Sequence, residues 1–178
     1  GSPDNQNPLA LVQADPEALA RQVADYICQI RPQVVMTFDP YGGYGHPDHI
    51  AMHQATVRAL ALVQAGLLPP EDRPRKLYYT TFPRTLLRWV VRLMPLLGRD
   101  PSALGKNKDI DLRAVMNHTI PITTQVNIAP YYDLRERAAA CHSSQLSGPG
   151  SFFGWLPKGL VRRMRITETF HRAVPPFG

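Results

Sequence analysis

The polar and apolar positions of this chain change period several times, and each change marks an element. Asp15-Pro16-Glu17 opens a helix. Asp15 can accept main-chain N–H groups as N-cap, Pro16 suits the first helical position, and Glu17 meets the positive end of the helix dipole. Leu19, Val23, Tyr26, Ile27 and Ile30 follow at helical spacing and predict its buried stripe, and Pro32 ends it. Val34 to Phe38 is then a short, almost wholly apolar run rich in β-branched residues, which predicts a strand buried on both faces of a parallel sheet. The Gly-rich stretch 39–46 reads as loop. Pro47 or Asp48 begins a second helix that runs to about Ala65, with Ile50, Val57, Leu60 and Val63 on its apolar side, before Pro69-Pro70 breaks the chain. Lys76 to Phe82 alternates loosely as a second strand. Strand, helix and strand in that order predict a crossover unit with parallel strands.

The second half is less regular. Residues 83–97 are rich in Leu, Val and Trp with Arg84, Arg88 and Arg92 at every fourth position, a basic amphipathic helix ended by Pro95 or Gly98. Residues 99–118 are polar and read as loop, and Ile120 to Ile128 as an extended segment. A helix is expected over 130–145, a turn at Gly148-Pro149-Gly150, a short helix over 157–164 and a last strand over 165–174. These elements predict one α/β domain over residues 1–178, a three-layer α/β/α sandwich with a mainly parallel, Rossmann-like sheet.

Composition changes this picture at three points. An apolar content of 44% is that of a globular chain with a real core, and no apolar stretch approaches the roughly 20 residues of a membrane span. Cys28 and Cys141 lie far apart and match no metal or redox spacing, so Cys28, inside the first helix, is expected as a buried reduced thiol, which favours a cytoplasmic address. The net charge of +6 raises the local concentration of anions. Part of that charge lies on the 83–97 helix, which has three readings: a solvated face with its Leu/Trp side packed inward, a helix lying on an anionic membrane surface, or a contact for an anionic substrate or nucleic acid. No base-stacking motif accompanies it, so nucleic acid is not an expected partner.

The chemistry concentrates at one junction. Asp39-Pro40-Tyr41-Gly42-Gly43-Tyr44-Gly45-His46-Pro47-Asp48-His49, followed by His53, puts three histidines and two aspartates where the apolar run 34–38 gives way to a helix. Open α/β folds carry their sites at that kind of junction. Imidazole and carboxylate suit zinc, which in catalytic sites takes three protein ligands and leaves one position for water. With a helix starting near Pro47, His49 falls in its first turn and His46 just before it. The two rings can face one cavity without both binding a metal, and Asp48 is placed to orient His46 by accepting its ring proton. Gly42-Gly43 and Gly45 permit a tight turn. His53, one turn further on, reads first as a packed or capping residue, with a ligand as the lesser alternative. His142-Ser143-Ser144-Gln145 lacks the elbow of a nucleophilic serine and reads as a polar helix end; His118 and His171 read as structural.

Gly42-Gly43-Tyr44-Gly45-His46-Pro47-Asp48-His49 resembles the second signature of the LmbE-like, or GlcNAc-phosphatidylinositol de-N-acetylase (PIG-L), family of metal-dependent deacetylases. With Asp39-Pro40 before it, it looks most like members acting on amino-sugar conjugates in thiol biosynthesis. Ile122-Thr123-Thr124, Tyr131-Tyr132-Asp133 and the run Ala138 to Gln145 are similar to the family's C-terminal helix, and Glu168-Thr169-Phe170 to its last strand. The resemblance implies that His49 is a zinc ligand, that His46 stabilises the tetrahedral oxyanion with Asp48 tuning it, and that Tyr44 binds substrate near the reacting amide. It implies a small N-acetylated sugar conjugate as substrate. The family's first signature, His-Pro-Asp-Asp, carries the other ligands and the general base, and this sequence does not contain it. The resemblance therefore implies a C-terminal portion whose first strands are absent and which is inactive alone. A non-catalytic sugar- or partner-binding remnant of the same fold is the alternative.

Overall fold

The computed structural model describes residues 3–104, 110–141 and 158–175. Within them four strands, β1 (Val34–Thr37), β2 (Lys76–Thr80), β3 (Thr124–Asn127) and β4 (Thr167–Val174), form one open sheet in the order β1-β2-β4-β3. β1 and β2 are parallel, with Val34 opposite Lys76 and Thr37 opposite Tyr79. Helix α3 (Pro47–Leu62) lies between them in sequence, so the expected crossover is present. β4 runs antiparallel to both its neighbours, with Thr80 and Thr124 each opposite Phe170. The fold is α/β as expected, but its described sheet is mixed, with one parallel and two antiparallel pairs, rather than mainly parallel. The physical reason lies in the late strands: Thr-Gln-Val-Asn and Thr-Glu-Thr-Phe-His-Arg-Ala-Val interleave polar with apolar residues, the composition of half-solvated antiparallel strands.

Helix α1 (Pro16–Ile30) begins as its sequence dictates. The Asp15 carboxylate accepts the Ala18 N–H at 2.9 Å, and Arg31 closes the helix in the left-handed region, φ 52°. Its buried line is Ala20, Ala24 and Ile27; Leu19 and Val23 are half-buried, whereas Tyr26 and Ile30 are 64% and 71% exposed. The buried line lies part of a turn away from the expected stripe because the alanines face α3, where small side chains let the two helices approach. Ala24 and Ile27 join Ala59 and Leu60 of α3, Val63, Leu68 and Leu77 of β2 in the main core, and the half-buried thiol of Cys28 packs at its edge. On α3, Leu60 is buried as expected, Ile50 is half-buried and Val57 is exposed.

β1 departs from its expected burial. Val35 packs on the core, but Val34 and Met36 are 44% and 54% exposed. Side chains alternate along a strand, so Val34 and Met36 point away from the core face that Val35 joins, onto a face the described residues leave partly open.

A second core sits beside the first. Helix α4 (Arg84–Leu93) continues through a 3-10 turn, Met94–Leu97, to Gly98. Leu87, Val90 and Met94 point inward, while Trp89 and Leu93 stay exposed, so only part of the apolar side packs. Their partners come from α5 (Leu112–Asn117), a helix inside the stretch read as loop. Asp111 caps it, accepting the Arg113 N–H at 2.8 Å, and Leu112 and Val115 are buried. Tyr41 and Tyr44 of the Gly-rich loop pack against this cluster.

Helix α6 (Tyr132–Ala140) follows a 3-10 turn and meets the expected helix up to Ala140. His142 to Gln145 and the expected turn at Gly148-Pro149-Gly150 lie outside the described residues. Helix α7 (Lys158–Arg165) leads into β4. Arg135 bonds Glu136 and Glu168, and Arg165 bonds Glu136, which ties α6, α7 and β4 together through half-exposed ion pairs. No helix among the described residues is long and apolar enough to cross a membrane.

Candidate active site

The site is built where β1 ends. Asp39, 3% exposed, folds the Gly-rich loop around itself: its carbonyl accepts the Gly42 N–H at 2.9 Å and its Oδ1 accepts the Gly43 N–H at 2.8 Å. The loop forms one distorted turn, α2 (Gly42–Gly45), in place of the expected irregular loop. Gly42 is there by necessity. Its φ is +69°, and a Cβ would lie 2.8 Å from Ile50 Cγ1 and 2.9 Å from the Ile50 nitrogen.

α3 then starts at Pro47 with His46 as its N-cap. The His46 ring takes the place of the usual hydroxyl or carboxylate: Nδ1 accepts the Asp48 main-chain N–H at 3.2 Å. A nitrogen that accepts carries no proton, so neutral His46 bears its proton on Nε2. His49, three residues later, is held the other way. Its Nδ1 lies 3.1 Å from the Gly42 carbonyl, which can only accept, so Nδ1 carries the proton and the Nε2 lone pair is available. A main-chain carbonyl fixing the ring in this way is the usual arrangement of a metal-binding histidine.

The rings pack as a group. His49 stacks on Phe38 at 3.9 Å, His46 lies 4.7 Å from His49, and Tyr44 sets its ring edgewise to both at 5.7 and 5.4 Å. Burial lowers the His49 pKa below its ordinary 6.5. His46 adds to the effect, while the Gly42 hydrogen bond, Asp48 and Asp39 oppose it. The neutral imidazole is thereby favoured.

The fold brings together Tyr44, His46, Asp48 and His49. Asp48 behaves differently from expectation: its main-chain N–H, not its carboxylate, engages the His46 ring, and its buried Oδ1 has no hydrogen-bond partner among the described residues. His53 is buried, bonds the Phe38 carbonyl through Nδ1 at 2.8 Å and meets the Tyr79 ring edgewise. It packs, as its position suggested. His118 stacks on Tyr41 and bonds Ala114, and His171 bonds Pro121. Phe38 and the loop-folding role of Asp39 are what sequence reasoning missed. The signal for Asp39 was its place four residues before Gly43; nothing in sequence marks Phe38 as the stacking platform.

Among the described residues no three His, Cys, Asp or Glu side chains come together as a metal needs. They do not fit a complete zinc centre. What they hold is one imidazole in donor geometry, beside an orphaned carboxylate oxygen.

A sheet edge, a glycine turn and a capped helix present two imidazoles at the carboxyl end of a parallel strand, the place where an α/β protein carries its site. The sequence model of the GlcNAc-PI de-N-acetylase (PIG-L) family matches residues 3–60, which contain this whole arrangement. The chain belongs to that family. It is similar to the 1D-myo-inositol 2-acetamido-2-deoxy-alpha-D-glucopyranoside deacetylase of Thermobifida fusca, 33% identical over 171 residues, covering 96% of this chain and 58% of that one. The proteins of the same name from Acidothermus cellulolyticus and Thermomonospora curvata are 34% and 35% identical over 86% of this chain and 50% and 52% of theirs. The chain thus spans about half the length of the curated relatives it matches.

Proposed function

We propose that this chain is part of a metal-dependent hydrolase that removes the N-acetyl group of an amino-sugar derivative. One observation carries the reading: His46 and His49 face one another with complementary protonation. The Nε2–H of His46 can donate to an oxygen that gains negative charge as an amide is attacked, the task of an oxyanion stabiliser. The Nε2 lone pair of His49 can serve as one metal donor. Tyr44, edgewise to both, is assigned to substrate, and Asp48, through its N–H, to the orientation of His46. The relatives' names, which specify a 2-acetamido sugar joined to inositol, support the substrate class. The other metal donors and a general base are assigned to polypeptide outside the present sequence, and the 178-residue chain alone is then inactive. A cytoplasmic address is part of the same reading.

The test is acetate release from N-acetylglucosaminyl-inositol, measured for this chain and for a polypeptide extended to the relatives' length. Activity is expected only in the longer form and is expected to fall at least a hundredfold, roughly, in His46→Ala and His49→Ala. Acetate release that survives both substitutions sinks the assignment. A second reading, a sugar- or partner-binding module without catalysis, agrees equally with the lack of a three-donor cluster among the described residues. Binding of the sugar by the longer form with no acetate released would select it.

A further inference from the structure

We propose that the outer face of α4 and the turn after it docks on an anionic lipid surface. Two exposed stripes run along this helix. Arg84, Arg88 and Arg92 form one, at i, i+4 and i+8. Trp89 and Leu93 form the other and continue into Leu96 and Leu97, with exposures of 57%, 43%, 80% and 57%. The inner face is accounted for by Leu87, Val90 and Met94, which pack on Leu112 and Val115. The apolar stripe is therefore surplus to the core rather than part of it.

The charge of this face is uncompensated. No Asp or Glu occurs in sequence from Arg73 to Arg99. Among the described residues no carboxylate pairs with Arg84, Arg88 or Arg92, whereas Arg31, Arg58, Arg135 and Arg165 all have acidic partners. Thr85 is the sole uncharged polar side chain described as exposed between Arg84 and Leu93. The three guanidiniums donate and cannot accept, and Thr85 is the one exposed side-chain acceptor beside them, so the face matches an anionic surface rather than the mixed polar rim of a protein partner. A phosphodiester backbone would take up the arginines and leave Trp89, Leu93, Leu96 and Leu97 in water. A lipid interface takes both stripes: phosphate headgroups for the arginines, the acyl boundary for the leucines and the indole.

The test uses the whole 178-residue chain and vesicles of phosphatidylcholine, with and without phosphatidylglycerol. Co-sedimentation is expected with the mixed vesicles only and is expected to weaken with salt. Each basic residue at such a surface contributes roughly fivefold in partitioning, so the triple change Arg84→Gln, Arg88→Gln, Arg92→Gln should cost about a hundredfold. In a Trp155→Phe background, which leaves Trp89 as the only tryptophan, the emission should shift to the blue on binding. Equal binding to neutral vesicles, or no loss in the triple variant with an unchanged unfolding curve, overturns the proposal. So does tighter binding to a DNA duplex at equal phosphate concentration, which assigns the face to nucleic acid. Loss of vesicle binding in the polypeptide extended to the relatives' length also overturns it, because the face is then covered by the rest of the protein. None of these readouts depends on acetate release, so this proposal and the catalytic reading fail separately.

Discussion

His46 and His49, with ring centroids 4.7 Å apart, are held by the main chain in opposite tautomers. One ring accepts a helix N–H at Nδ1; the other donates from Nδ1 to the loop carbonyl of Gly42. Neighbouring imidazoles would otherwise choose tautomers independently, each by its own solvent contacts. Here the choice follows from a cap and a carbonyl that cannot exchange roles.

This arrangement is visible to nitrogen NMR of the neutral imidazole rings. His46 is expected to show a protonated Nε2 and a bare Nδ1, and His49 the reverse. Finding both rings protonated at the same nitrogen would remove the basis for giving them different tasks.

The two glycines of the loop separate steric clash from backbone strain. Gly43→Ala meets open space at φ +75° and ψ −66° and is expected to cost about 1–3 kcal/mol, the strain of a side chain in γ-turn geometry. Gly42→Ala adds a collision with the Ile50 side chain and main chain and should cost about 3 kcal/mol or more. Urea denaturation of the two variants measures the difference; equal losses would mean that α3 yields freely at Ile50.

Asp39 is buried and spends one oxygen on the Gly43 N–H. Asp39→Ala leaves that donor unsatisfied and is expected to destabilise by about 1–3 kcal/mol. Asp39→Asn keeps an acceptor in place and should recover much of the loss. If Asn proves no better than Ala, the charge rather than the hydrogen bond holds the turn.

The lowered pKa of His49 sets a direction for stability against pH. Above its ordinary 6.5 the ring is neutral in folded and unfolded chains alike, and the contribution is fully present. As pH falls through that value the unfolded chain takes the proton first, so stability declines until the folded ring protonates as well. The stability advantage of the native chain over His49→Gln is therefore expected to shrink from about pH 7.5 to about pH 5. An advantage that stays level or widens toward acid contradicts the burial of the ring.

Much of the first half was legible because its signals are local. Asp15 and Pro16 declare a helix start, Pro47 declares another, and the strand–helix–strand order fixes the parallel pair. Burial was less legible where it depends on a partner. Ala20 and Ala24 are buried on α1, yet alanine hardly registers in a hydrophobic pattern; Val34 and Met36 look like core residues and lie on the open face of β1. α5 escaped notice because its six residues bring only Leu112 and Val115 to a core completed by α4. The direction of β4 was hidden because strand direction is set by which neighbours it meets. At the site, the motif residues and their meeting were legible from spacing. The hydrogen bonds that assign a proton to each ring were not, since they run through main-chain atoms that every residue shares.

The Phe38 and Gly42 carbonyls each accept a hydrogen bond from a histidine of α3, His53 and His49 respectively. The aim of both rings is thus encoded in backbone rather than in side chains. Of the residues between these two carbonyls, Asp39 and Tyr41 hold the turn through their own contacts, and Pro40 is exposed. Both imidazoles thus take their aim from the course of one loop, and a change that bends it turns the two together.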